Sequence, residues 1–279
     1  MNTTLFDFLD RLQARTEPKP GQYLGEDGLI YCEKCHTPVQ CRVTLAGKVR
    51  VMPCVCQCQK EEQERQAQQI KEEEQLLYVR RLKAAGIQER HLQEWTFATA
   101  TDTPSIQMAK RYVENWQKVK AQNLGLLLWG DVGTGKSFLA ACIANALLEK
   151  GVPVLMTNFS KILNQMGAMY SAERYRYIAS FQRFSLLILD DLGIERNTEY
   201  ALEQVYAIVD ERYKAGLPLI ITTNLMISQL RNPEDVSHAR IYSRVLEMCT
   251  PVHVPGADRR TAIGKTKQEQ VKEILFSKS

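Results

Sequence analysis

The sequence predicts an α/β protein: a parallel sheet lying between helices, preceded by a small cysteine-rich module. Three observations point to it. From about residue 98, short apolar runs (Leu124–Trp129, Val152–Met156, Leu186–Leu189, Leu217–Thr222) alternate with helix-period segments, the pattern of a parallel sheet covered on both faces. A glycine-rich loop, Gly130 to Ser137, separates the first of these runs from a helical segment. Six of the eight cysteines fall between Cys32 and Cys58.

The chain has 279 residues, 44% of them hydrophobic and 24% charged, which supports a sizeable core and excludes wholesale disorder. No apolar run approaches the roughly 18 residues of a membrane span, so no membrane partner is expected. Asp7 and Asp10 stand where a signal peptide would be basic, and the expected location is cytoplasmic. In that setting clustered cysteines suggest metal before disulfides. A formal charge of +4 permits nucleic-acid binding without arguing for it.

Residues 1–58 read as the first domain. Leu5, Phe6, Phe8, Leu9 and Leu12 share most of one helical face, and Pro18, Pro20 and Gly21 end it. Strand-like pieces Gln40–Leu45 and Lys48–Met52 flank Gly47 as a hairpin. Cys32-x-x-Cys35 and Cys54-x-Cys56-x-Cys58 form two close ligand groups, and bringing them together makes a tetrahedral thiolate site. Zn²⁺ is the first choice, because it takes four soft ligands and needs no redox chemistry. The chosen ligands are Cys32, Cys35, Cys54 and Cys56, with Cys58 the substitute for either late one. Cys41 and His36 are read as spectators, and an iron–sulfur cluster is the second choice by spacing. Residues 59–97 read as a helical connector. Its stretch 59–83 has no Gly or Pro and is dominated by Gln, Glu, Lys and Arg, with Ile70, Leu76, Leu77, Val79 and Leu82 gathered near the end. Residues 98–262 form the core domain, with helices at 137–149, 160–183 (one or two), 198–215 and 236–249. A short strand, Val252–Val254, follows. Residues 263–279 are a basic tail, and from Arg259 onward the default reading is solvated disorder.

Gly130-Asp131-Val132-Gly133-Thr134-Gly135-Lys136-Ser137 matches G-x-x-x-x-G-K-S/T in the required strand–loop–helix setting. Glycines let the backbone wrap close to a triphosphate, and the loop N–H groups and helix N-terminus supply positive potential. Lys136 would reach the β and γ phosphates of ATP, and the Ser137 hydroxyl would bind Mg²⁺. Leu186–Leu189 ends in Asp190 and Asp191. Asp190 is read as the magnesium carboxylate and Asp191 as the group that orients the attacking water. Glu is more usual at the second position, and the shorter Asp arm implies slower turnover. Asn224, after Ile220-Ile221-Thr222-Thr223, faces the γ-phosphate if its strand lies between the other two; otherwise it is a turn-forming Asn. Between 159 and 183, Tyr170, Arg174, Tyr175, Arg176 and Tyr177 interleave aromatic and basic side chains. Such a surface stacks bases of single-stranded DNA, although an aromatic helix more often packs a sheet.

The pieces WGDVGTGKS, LLILDD, ITTN and HARIYSR, across roughly residues 84–262, resemble the AAA+ ATPases. Among these they look like the DnaC/DnaI-type replicative helicase loaders and the closely similar IstB transposition ATPases. The resemblance implies an AAA+ P-loop core and a weak ATPase stimulated by partner or DNA. It implies that Arg244 reaches the nucleotide of a neighbouring subunit, hence self-association; the competing reading of Arg240 and Arg244 is a basic helix face. Arg260, in Asp258-Arg259-Arg260, is implied as a second nucleotide sensor. The implied partners are a replicative hexameric DNA helicase, contacted by a zinc-containing N-terminal domain, and single-stranded DNA. One alternative is an IstB-like transposition ATPase, against which the cysteine module argues. Another is a zinc-dependent ATP-binding adaptor with little turnover, which Asp191 keeps open.

Overall fold

The computed structural model describes residues 17–45, 47–193 and 198–276; the side chains of 259–263, 265, 266 and 276 fall outside the description. The amphipathic segment expected at the N-terminus lies outside the described residues. Contacts divide the chain into two units, Met1–Leu76 and Leu77–Ser279.

The first unit holds two antiparallel hairpins, β1 (Gln22–Leu24) with β2 (Ile30–Cys32) and β3 (Gln40–Leu45) with β4 (Lys48–Pro53). The second hairpin is the expected one. It pairs Leu45 with Lys48 and closes at Gly47, whose φ of 75° is open to glycine at no steric cost. The first was not anticipated, because strands of three residues are too short to show alternation. Helix α1 starts at Gln57 and runs to Gly86, longer at both ends than the Gly- and Pro-free stretch 59–83 and ending short of residue 97, where the connector is read to stop.

In the second unit, α2 (Arg90–Gln93), α3 (Pro104–Glu114) and α4 (Trp116–Ala121) precede β5 (Gly125–Trp129). Then come α5 (Lys136–Glu149), β6 (Val154–Asn158), α6 (Phe159–Gly167), α7 (Ser171–Ala179) and β7 (Leu186–Leu192). The chain continues through α8 (Glu199–Ala215), β8 (Leu219–Thr223), α9 (Ile227–Arg231), α10 (Val236–Met248), β9 (Cys249–His253) and α11 (Arg259–Phe276). The sheet is parallel, in the order β6-β7-β8-β5-β9. Successive side chains alternate between two cores. Leu126, Leu128, Ile188 and Ile220 pack with Leu139, Ile143 and Leu147 of α5. Leu127, Leu187, Leu189, Leu219 and Ile221 pack on the opposite face with Val205 and Val209 of α8 and Ile241 and Val245 of α10. Burial on both faces explains why these strands read as unbroken apolar runs; each such side chain contributes about 1.5–3 kcal/mol. The order places β8 between β5 and β7, so the glycine loop and Asn224, which follow their strands, and the Asp pair, near the end of β7, stand at the C-terminal ends of adjacent strands. A parallel sheet binds ligands in that crevice.

Arg212 of α8 is buried to 2% exposure and donates to the backbone carbonyls of Phe181, Phe184, Ser185 and Pro218 at 2.8–3.4 Å. Burial lowers its pKa to about 10, still above neutrality, so the guanidinium stays charged while it ties the approach to β7 to the approach to β8. Buried Asn145 of α5 likewise donates to the carbonyls of Leu92 and Trp95, fastening the segment upstream of the core.

Two expectations change. The tail from Arg259 is helical to Phe276 instead of disordered; Lys267, Gln268, Glu269 and Gln270 are good helix formers with no proline among them. Helix α3 was not anticipated, although Thr103 accepts the Ile106 N–H as its cap and Pro104 opens it, both recognised start signals. Among the described residues, no helix is long and apolar enough to cross a membrane.

Candidate nucleotide and metal sites

The loop after β5 is built on left-handed or extended glycine geometry. Gly130, Gly133 and Gly135 have φ of 145°, 79° and 99°, and Gly135 caps α5. Buried Lys136 donates through Nζ to the carbonyls of Gly130 at 2.9 Å and Asp131 at 2.7 Å, so its ammonium sits inside the loop. Buried Thr134 donates to the Asp131 carbonyl, whereas Asp131 and Val132 are exposed at the loop tip. The backbone concavity fits a phosphate chain, with a cation at its base and a helix N-terminus behind it.

Asp190 ends the regular part of β7. Its carboxylate accepts a hydrogen bond from Thr222 Oγ1 at 2.5 Å, and the nearby Ser137 hydroxyl acts on it in the same sense. Burial raises its pKa, and the Thr222 bond acts in the opposite sense. A hydroxyl and a carboxylate side by side below the phosphate loop are the hard oxygen donors that suit Mg²⁺. Asp191 adopts φ 60°, and the register between β7 and β8 slips here: Leu189 pairs with Ile221, but Leu192 pairs with Thr223. A left-handed non-glycine residue costs on the order of 1–3 kcal/mol, and such strain gathers at functional sites. Asn224 follows β8 directly and is exposed.

Sequence reasoning missed the space beside the loop. A cavity of about 370 Å³ lies against Thr134 and Gly135 and is walled by Pro104, Ile106, Phe138, Leu139, His253 and Val254. Its size is that of a small-molecule site, mostly apolar with a few polar groups at the rim. The available signal was the Thr103-Pro104 helix start, but nothing in the sequence says that α3 and the end of β9 converge on the loop. Asp258 was also passed over in favour of its neighbour. A side chain at Gly133 would run into the Asp258 carboxylate, so the segment leading into α11 touches the phosphate loop.

Arg244 on α10 is 27% exposed and held within its own chain. Its Nε donates to Asp210 Oδ1 at 2.9 Å, and its guanidinium lies over the rings of Tyr206 and Tyr213 at 4.7 and 5.7 Å. Arg240, one turn earlier, is exposed. The side chain of Arg260 lies outside the described residues. Of the aromatic–basic stretch, Tyr170 and Tyr175 are exposed and Arg174 lies over Tyr200, whereas Phe159 and Phe181 are buried in the core.

In the first unit the sulfur atoms of Cys32, Cys35, Cys56 and Cys58 lie within 4.8 Å of one another. Cys58 Sγ is 3.6 Å from Cys32 Sγ and 3.4 Å from Cys56 Sγ. A tetrahedron with sulfur about 2.3 Å from its centre has edges of about 3.8 Å, so the set fits Zn²⁺. Cys58 therefore takes the place assigned from sequence to Cys54. In an extended Cys-x-Cys the two residues stand about 7 Å apart, but α1 begins at Gln57 and curls Cys58 back beside Cys56. Cys54 stays on the hairpin: its N–H donates to Val39 O and its thiol to Pro38 O. Cys35 is drawn down to about 5 by the Thr37 hydroxyl and the Cys58 backbone, while contact with Cys56 and then Cys35 pushes Cys58 up to about 12. One thiol drawn down beside one pushed up is a charge conflict that a divalent cation relieves. The spectators stay apart, His36 pairing with the Tyr23 hydroxyl at 3.3 Å.

Comparison with known proteins agrees with this geometry. The replicative helicase loader DnaI of Bacillus subtilis (strain 168) is 26% identical over 147 residues, covering 49% of this chain and 47% of its own. The replicative helicase loader DnaC of Escherichia coli (strain K12) is 26% identical over 129 residues, covering 45% and 51%. The chain thus spans about half the length of the curated relatives it matches. A crystal structure of DnaI superposes with a TM-score of 0.51 at 24% identity, over 62% of this chain and 94% of that one, which shows a shared AAA+ fold. A family model described as IstB-like ATP binding protein matches residues 58–266, three-quarters of the sequence, and the chain belongs to that family.

Proposed function

We propose that the protein is an ATP-dependent loader of a replicative hexameric DNA helicase, acting in the cytoplasm at the start of DNA replication. One observation carries this reading: a phosphate loop, a paired carboxylate and a polar strand end on adjacent parallel strands, in a chain that also bears a four-thiol cluster. Lys136 binds the β and γ phosphates of ATP, and Asp190 with Ser137 holds the site of Mg²⁺. Magnesium neutralises charge on the β and γ phosphates when bound. Asp191 and Asn224 orient the water that attacks the γ-phosphorus, giving ADP and phosphate. The cavity beside Thr134 takes the nucleoside.

Arg244 completes the site of a neighbouring subunit, so the core self-associates, and Arg260 is a second nucleotide sensor. To do so Arg244 must leave Asp210. Exposed Tyr170 and Tyr175 with Arg174 and Arg176 are the surface for single-stranded DNA, stacking bases and pairing phosphates. The zinc unit, held by Cys32, Cys35, Cys56 and Cys58, contacts the helicase. The held Arg244 and the short arm of Asp191 favour slow turnover that a partner or DNA stimulates, and they support a second reading, an ATP-binding adaptor that hardly turns over.

The test is capture by the tagged, zinc-loaded full chain from extract of its own cells, with bound proteins identified by mass spectrometry. A hexameric replicative helicase is expected. Recovery of a transposase in its place overturns the proposal.

A further inference from the structure

Thr222 is fully buried in β8, and its hydroxyl holds two partners on β7 at once. It donates to Asp190 Oδ1 at 2.5 Å and accepts the Asp191 N–H at 2.9 Å. A hydroxyl has one proton, so giving it to the carboxylate leaves its lone pairs for the N–H, and each bond fixes the sense of the other. Both bonds fall at the register slip. Between the pairs Leu189–Ile221 and Leu192–Thr223, two residues of β7 face one of β8, and that one is Thr222. Strict alternation sends consecutive side chains to opposite faces of a sheet; an extra residue breaks that rule and bends the strand. The Asp191 amide, at φ 60°, finds its acceptor in a side chain of β8. The neighbouring Thr223 does a different job: its hydroxyl donates to Leu192 O at 2.8 Å and accepts from Leu225 N at 3.1 Å, shaping the strand end without touching Asp190.

We infer that Thr222 is a positioning residue for the metal–triphosphate: it fixes Asp190 beside Ser137 and holds the bulge that sets Asp191. The inference rests on the nucleotide-site reading above. It gives a role to a residue inside the piece ITTN for which the sequence reading has none, since that reading assigns only Asn224 at the end of this strand.

The test is Mn²⁺ binding, read by electron paramagnetic resonance, to the full chain carrying a non-hydrolysable ATP analogue, with steady-state turnover as a second readout. Loss of a partner behind a metal ligand typically weakens metal binding about 10- to 100-fold, and Thr222→Val should show a loss in that range. Thr222→Ser keeps the hydroxyl and should stay within about twofold of wild type, well short of that loss. Thr223→Val removes a buried hydroxyl from the same strand and should also leave Mn²⁺ affinity near wild type. If Thr222→Val does not fold, Thr222→Ala replaces it under the same criteria. Val or Ala behaving as wild type overturns the inference, as does Ser failing as badly as Val, or Thr223→Val losing as much. Wild-type binding with an indifferent Thr222 variant removes only Thr222; a wild-type chain that binds no Mn²⁺ with the analogue overturns the nucleotide site as well.

Discussion

Lys136→Ala should lose triphosphate binding almost completely. The ammonium is buried inside the phosphate loop, and its two carbonyl partners at 2.9 and 2.7 Å hold it at the base of the concavity. A triphosphate brings up to four negative charges there, and the loop N–H groups alone offset only part of them. Charge-assisted hydrogen bonds contribute about 1.5–3 kcal/mol each, so losing two to phosphate oxygens weakens binding by roughly 10²–10⁴-fold. Removing the side chain also takes away a donor from the Gly130 and Asp131 carbonyls, which loosens the loop. Equilibrium binding of a fluorescent ATP analogue is the measurement, with zinc content as the control for an intact first unit. Affinity within threefold of wild type would show that this loop does not bind phosphate.

Chelation should unfold the first unit while leaving nucleotide binding in place. Its described residues bury few apolar side chains, chiefly Leu29, Ile30, Cys32 and Cys56, too little to offset the ordering of two short hairpins. A structural Zn²⁺ contributes apparent binding energy of about 10–16 kcal/mol at neutral pH, and in small units that energy is the folding energy. The purified protein should hold one zinc per chain. Cys58→Ser should lose it, because three thiolates leave a coordination position open, and Cys54→Ser should keep it, because its thiol bonds to Pro38 O outside the cluster. Metal analysis after dialysis reads both. Zinc retained by the Cys58 variant and lost by the Cys54 variant would restore the ligand set first read from the spacing.

The two outcomes mark how far the sequence is legible. Strands buried on both faces announce themselves, because Leu186–Leu189 and Ile220–Ile221 have apolar neighbours whichever way they point. Their order does not: that β8 lies between β5 and β7 is a fact about distant segments, and on it depends whether Asn224 stands at the site or in a turn. The phosphate loop was readable because its chemistry is local and contiguous. Thr222 was not, since its partners lie 31 and 32 residues away and a Thr in an apolar strand is commonplace. Cys54 and Cys58 are equivalent by spacing alone, and only the helix start at Gln57 separates them. The cavity walls from α3 and β9 are non-local in the same sense. The ion pair between Arg244 and Asp210 is too, and the role proposed for this arginine requires that it be released.

In the proposed function, ATP and this chain together place a hexameric helicase on DNA. The direct measurement combines purified helicase, closed circular single-stranded DNA and the full chain with ATP, then counts helicase co-eluting with the circle. Wild type with ATP should raise that count well above helicase alone, and Lys136→Ala should not. Helicase bound by the chain but reaching the circle no more often than without it would contradict loading, and would leave an adaptor in its place.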